Sequence, residues 1–370
     1  MSTLEKKGME SEAGLVVIWN KENMSRALRH APVFTLSEML RLKKADSLKR
    51  MCRTYGIPAY SRMNKAALAL ALKRHLTTTR VIHGLLHSLD KHEWRFFVKA
   101  ANVRKLSLET PKSECYGHLL DTGIAGMYHH SNLFHFVVPT EIKKIYKTLE
   151  SAGLHARKEH CHLLVEYAAA AANLYGAIRI DELVDIFNSQ NEPRTDFEEM
   201  HYVLSGFADE YYGFFILNEY IVDCCFPGDD VLRLAGEAAK KPRYLPDKRT
   251  FLEFADLYYI EDPERLSSLR AYIAGNLSGD PDFAEYLSHE IYRLCRCCSS
   301  KQKYVDLLKN HNIRLDRKQF GDFMSLINEL CDSIRIWINN GHTQHELRFG
   351  CAHACCKTIP LKDSGALRSG

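Results

Sequence analysis

No stretch of this 370-residue chain is apolar for long enough to span a bilayer. The amino-terminal run Leu15 to Trp19 is short and has acids ahead of it, so it reads as neither a signal peptide nor a membrane span. The expectation is a soluble, cytoplasmic protein with no membrane partner, whose twelve cysteines are mostly reduced thiols. Signatures of common catalytic sites are missing as well. There is no GxxxxGK[ST] phosphate loop, no GxSxG elbow, no HExxH and no dinucleotide GxGxxG. Acid is scarce in one segment: from Lys21 to Arg80 there are fourteen Lys or Arg against Glu22, Glu38 and Asp46 alone, a surplus of eleven. The whole chain carries only +4, so the remainder has seven more acids than bases. That split points to one polyanion-facing module on a mildly acidic body.

The basic segment centres on Phe34 to Leu76. Ser37 is placed to cap a first short helix through Lys44. A second helix is predicted from Ala45 to Thr54, with Leu48, Met51 and Cys52 as its apolar stripe. Gly56-Ile57-Pro58 ends it, because glycine accepts a left-handed cap and proline cannot continue a helix. A third runs from Asn64 to His75 with Leu68, Leu72 and Leu76 inward. Such short helices are marginal alone and must pack together. The pattern Leu48-Lys49-x-x-Cys52-x-x-x-Gly56-Ile57-x-x-Tyr60-Ser61-x-Met63-x-Lys65-x-x-Leu68 resembles the helix–extended loop–helix of the SAP domain and the Rho-terminator amino-terminal domain. The resemblance covers about forty residues and implies association with DNA or RNA through basic residues around the loop and helix starts. No oligonucleotide-binding barrel of the Rho kind is recognisable after it, which implies tethering rather than base reading.

The rest reads as mainly α and multi-domain: an arm (1–30), the basic module (31–80), two winged-helix-like units with short β-hairpins (81–153 and 154–228), a helical domain (229–348) and a cysteine-containing tail (349–370). In the first unit Asp90 to Glu93 is a capping box for a helix burying Trp94, Phe97 and Val98. Thr110-Pro111 opens another, and Ile124 to Tyr128 with Leu133 to Val138 makes a hairpin before a helix at Pro139-Thr140. In the second unit Cys161 to Ala172 is helical, Ala177 to Ile180 is a strand, Asp181 caps a helix, Thr195 to Glu198 is a capping box, and Tyr211 to Leu217 with Tyr220 to Cys224 is a hairpin. Beyond these come helices over Pro263 to Ala274 and Asp282 to Arg296. A long apolar stripe from Phe320 to Ile338, capped by Asp316 with Gln319, reads as a core helix or a dimer seam. Asn328-Glu329-Leu330 through Gly341-His342-Thr343-x-x-Glu346-Leu347 resembles the helical region preceding SEC-C-type zinc motifs in uncharacterised bacterial proteins. That family's motif is a Cys-x-Cys with a later Cys-Cys or Cys-His pair, whereas this tail lacks the spacer.

Candidate phosphate contacts are Lys43, Lys44, Lys49, Arg50, Arg53, Arg62, Lys65, Lys73 and Arg74. Tyr55 and Tyr60 flank the loop, either to stack on single-stranded bases or to fill the core. The first winged-helix-like unit adds Arg104, Lys105 and Lys112, with His118, His129 and His130 near its hairpin. The second offers Asp196, Glu198, Glu199, Asp209 and Glu210, which repel phosphate and suit a protein partner. No cofactor and no metal are expected. The weak metal candidates are Cys351, His353, Cys355 and Cys356 in the tail, with Cys295, Cys297, Cys298 and His289 and the adjacent pair Cys224-Cys225 behind them. The leading expectation is a non-enzymatic nucleic-acid-binding protein. The alternative is an interaction scaffold docking protein partners through the second winged-helix-like unit or the helical domain. The third is a metal-dependent nuclease at Asp121, Glu141 and Lys143.

Overall fold

The computed structural model describes residues 26–108, 116–209, 211–226, 231–297 and 300–349. The protein is mainly helical, with two antiparallel sheets of three strands each among the described residues. It forms two compact units, divided between His162 and Leu163.

The first unit opens with α1 (Leu36–Leu42), α2 (Ala45–Thr54) and α3 (Lys65–Leu76). The cap of α1 is Thr35 rather than Ser37: its hydroxyl accepts from the Glu38 amide while the Glu38 carboxylate reaches back to the Thr35 amide. Only a residue three before a glutamate can close that reciprocal box. Gly56 takes φ +61°, the left-handed exit required after α2. Asn64 caps α3 by accepting from Ala67 N at 2.9 Å. Next come α4 (Thr79–His87) and α5 (Lys91–Ala101), the latter capped by Asp90 and burying Trp94, Phe96 and Phe97, with Val98 half-buried.

A short strand β1 (Leu106–Leu108) follows, then α6 (Gly117–Asp121), β2 (Gly126–His130), β3 (Leu133–Val137) and α7 (Thr140–Ser151). The sheet order is β1-β3-β2. Ser131 and Asn132 both take positive φ in the two-residue turn, as a tight hairpin requires. Leu28 adds to the β2 edge, donating to Met127 O at 2.8 Å and accepting from His129 N at 2.9 Å. The edge strand expected at Leu15 to Trp19 lies outside the described residues, as does the helix start at Thr110-Pro111. One apolar cluster runs from Leu36 through Leu72, Trp94, Phe136 and Tyr146 to Leu154. The basic helices therefore have no core of their own; they complete one shared with the sheet.

The longest helix, α8 (Leu154–Tyr175), contains the division between the units. The second unit continues with β4 (Ala177–Arg179), α9 (Ile180–Gln190), α10 (Phe197–Ser205), β5 (Phe214–Leu217) and β6 (Tyr220–Asp223), in sheet order β4-β6-β5. Arg179, not Asp181, occupies the cap position of α9; Asp181 sits in the first turn and pairs with Arg179 at 3.0 Å. Asp196, not Thr195, caps α10, and the Thr195 hydroxyl bonds Glu199 instead.

The remaining helices are α11 (Val231–Ala238), α12 (Lys248–Glu253), α13 (Pro263–Ile273), α14 (Pro281–Arg296), α15 (Lys301–Asn310), α16 (Arg317–Ser333) and α17 (Gln344–Phe349). α16 stops at Ser333, five residues short of the predicted end at Ile338. The next amides leave the helix for other partners: Arg335 N donates to Glu261 at 2.9 Å and Ile336 N to His342 O at 3.2 Å. Trp337 then sits on a 3₁₀ turn (Trp337–Asn339), its indole donating to Asn173 O at 3.0 Å and its ring against Gly176. Phe323, Ile327 and Leu330 of α16 pack with α13 and α14, so the stripe is core rather than a seam.

Candidate nucleic-acid interface

α2 shows how a basic face arises. With Leu48, Met51 and Cys52 buried, Lys49, Arg50 and Arg53 fall within an arc of about 100° on the opposite side. Arg50 and Arg53 are exposed and Lys49 is half-buried. The loop contributes exposed Arg62 on a 3₁₀ turn (Tyr60–Arg62), and α3 begins with exposed Lys65 and ends with Lys73 and Arg74. No acid occurs from Tyr55 to Leu76. Arg53, Lys73 and Arg74 also occupy last turns, where cations offset the helix dipole. Their charge thus has one structural use besides any binding.

Not every predicted contact is equally available. Lys44 is exposed, but Lys43 is half-buried; burial lowers its pKa, Asp121 opposes that shift and Arg50 reinforces it. Lys73 lies 4.0 Å from Glu141. The tyrosines are largely core residues. Tyr60 packs partly against the apolar cluster, and Tyr55 leans on His75 at 4.8 Å between ring centroids. The Tyr55 hydroxyl donates to Thr122 O, and burial pushes its pKa up.

A second group of cations meets the module at one joint. Thr140 donates to Phe34 O through both its amide (2.9 Å) and its hydroxyl (3.0 Å), and Glu141 accepts from Leu36 N at 2.9 Å. Arg104 stands 4.4 Å over the Phe34 ring. Lys143 donates to Val103 O, and its pKa is lowered by burial first and Lys147 second. Exposed Arg104 and Lys105, just before β1, are thereby tied to the first turns of α7, which also carries exposed Lys144 and Lys147. Lys144 and Lys147 were not among the candidates; the run Lys143-Lys144-x-x-Lys147 at helical spacing is the signal that carries them.

The nuclease trio is divided among other roles. Asp121 pairs with Arg26 at 3.2 Å, Glu141 caps the amide of Leu36, and Lys143 holds a carbonyl. His129 tilts against Phe134 at 4.7 Å, and exposed His130 ends β2. His135, which was not a candidate, is buried with Ser107 at 3.0 Å, and burial lowers its pKa. Lys112, Glu210, Cys298, Cys351, His353, Cys355 and Cys356 lie outside the described residues.

In the second unit Asp196, Glu198, Glu199 and Asp209 are exposed around α10, with Tyr202 standing 72% exposed on the same helix. Among the described residues no helix is long and apolar enough to cross a membrane. No family model, curated protein or solved structure matches this chain.

Proposed function

We propose that the chain is a non-enzymatic nucleic-acid-binding protein whose first unit supplies the phosphate contacts. The observation that carries the reading is the concentration of Arg50, Arg53, Arg62 and Lys65, all exposed, on α2, the loop and α3, with no acid in the sequence from Ser47 to Leu76. Each such contact releases counterions, so binding is electrostatic and salt-sensitive. Arg104, Lys105, Lys144 and Lys147 add four exposed cations around the α1–α7 joint. A winged-helix reading is supported in both units by one shared feature: a short strand, then helix (α6 in the first unit, α9 and α10 in the second), then a hairpin whose second strand pairs with the first strand. A winged helix reads DNA with a basic helix in the major groove. The acidic residues of α10 argue against that use in the second unit. We assign the second unit to a protein partner, on its exposed acids and Tyr202.

The test is binding of duplex DNA and of single-stranded RNA by fluorescence anisotropy, comparing the unaltered chain with Arg50→Ala/Arg53→Ala/Arg62→Ala/Lys65→Ala. The expected result is a loss of about a hundredfold or more at low salt. Absence of binding, or binding that survives the four substitutions intact, ends the proposal. A protein partner captured equally after nuclease treatment and by the substituted chain establishes the scaffold role instead.

A further inference from the structure

β6 ends on Asp223, and the next two residues are both cysteines. Along a continuing strand, their side chains would point to opposite faces. The strand stops instead in a turn closed by Phe226 N donating to Asp223 O at 3.0 Å. Inside that turn, the two sulfurs lie on the same side, 3.7 Å apart. The backbone is pinned on both sides, with Asp223 N donating to Gly176 O at 2.9 Å and Cys224 N to Gly213 O at 3.1 Å. Asp223 is 7% exposed, and one carboxylate oxygen accepts from Cys225 N at 2.8 Å. A carboxylate oxygen and both sulfurs lie within 4.8 Å of one another.

We propose that Asp223, Cys224 and Cys225 form a binding site for one thiophilic divalent cation of the zinc class. Zinc–sulfur bonds of about 2.3 Å at a tetrahedral angle place two thiolates about 3.8 Å apart, which the observed 3.7 Å separation already satisfies. Exposure is graded: Asp223 is buried, Cys224 half-buried and Cys225 exposed, so the site has a closed floor and an open mouth. Three protein ligands leave a fourth position to water or another donor. On binding, the two thiols release their protons to solvent and both sulfur lone pairs go to the cation. Three anionic ligands around a divalent ion leave one negative charge. Arg293 and Arg296 of α14 act electrostatically on Asp223 and are the groups that balance it.

The test uses full-length protein freed of metal with a chelator. Titration with Co²⁺ is expected to give thiolate-to-cobalt charge-transfer absorption saturating at one equivalent in a Cys351→Ser/Cys355→Ser/Cys356→Ser background, which removes the thiols of the tail. The absorption is expected to vanish on adding Cys224→Ser/Cys225→Ser. Asp223→Asn is expected to weaken binding at least about tenfold, the cost of losing even an outer partner of a metal site. A second readout needs no substitution: stoichiometric Zn²⁺ is expected to slow maleimide alkylation of Cys224 and Cys225 in the unaltered chain, mapped by mass spectrometry. Cobalt absorption that persists without the two cysteines, or alkylation at the same rate with and without zinc, overturns the proposal.

Discussion

The two units build sheets of one strand order, β1-β3-β2 and β4-β6-β5, and surround them with opposite charge. Beside the first lie Arg104, Lys105, Lys144 and Lys147 with the basic helices; beside the second lie Asp196, Glu198, Glu199 and Asp209. The lesson is that strand order fixes a scaffold, while exposed side chains decide what it meets. The units also differ inside. The first buries His162, 4% exposed, with its Nδ1 unbonded, and burial followed by Lys158 holds its pKa at about 4. The second buries His342 against Glu346 at 3.2 Å. Burial works to raise the Glu346 pKa, but hydrogen bonds from His342 and Arg335 outweigh it and hold it at about 2.

The largest effect separating the units should come from their tryptophans. Trp94→Ala and Trp337→Ala should each cost about 3–5 kcal/mol by chemical denaturation. Only Trp94→Ala should also weaken nucleic-acid binding, because Trp94 lies in the cluster that α1 to α3 complete. Equal loss of binding in both variants would break the division of labour.

Acid should separate them next. The unfolded chain protonates His162 near 6.5 and the folded one near 4, so stability is full above the first value and declines as pH falls toward the second. The loss approaches roughly 3 kcal/mol. His162→Gln should flatten the decline between those values in denaturant midpoints measured against pH. Glu346 stabilises above its ordinary 4.5, and its contribution is lost only as pH falls toward 2, so Glu346→Gln should leave that window unchanged.

Helix caps should cost less, and equally in the two units. Thr35→Ala and Asp196→Ala should each remove about 1 kcal/mol. Of similar size, Glu198→Gln/Glu199→Gln removes both first-turn acids of α10 and should cost about 0.5–1 kcal/mol in thermal unfolding. A gain of nucleic-acid affinity in that double variant would show that acid alone keeps the second unit from phosphate.

What was legible in the sequence was local. α2, α3 and Gly56 follow from apolar spacing and a left-handed exit within a few residues of each other, and both hairpins follow from β-prone runs bracketing turn residues. What was not legible depends on distant partners. β1 has three residues with Ser107 in the middle, too short for a period, and exists because β3 is there to pair with it. α16 ends at Ser333 because Glu261 and His342 claim the amides beyond it, although the apolar stripe continues. At the candidate interface the exposed arginines were legible as charges. The half-burial of Lys43, the packing of Tyr60 and the joint bringing Arg104 to Phe34 required the fold. The order of short helices and hairpins in the two segments was legible, and so was their opposite charge; that those charged side chains are exposed required the fold.

The central claim is that phosphate affinity resides in the first unit, on Arg50, Arg53, Arg62 and Lys65. Its most direct test is the slope of log binding constant against log salt on duplex DNA for the full chain, with and without alanine at those four positions. Each lost contact should make the slope shallower by about 0.9, or about 3.6 for all four. Parallel slopes would contradict the account.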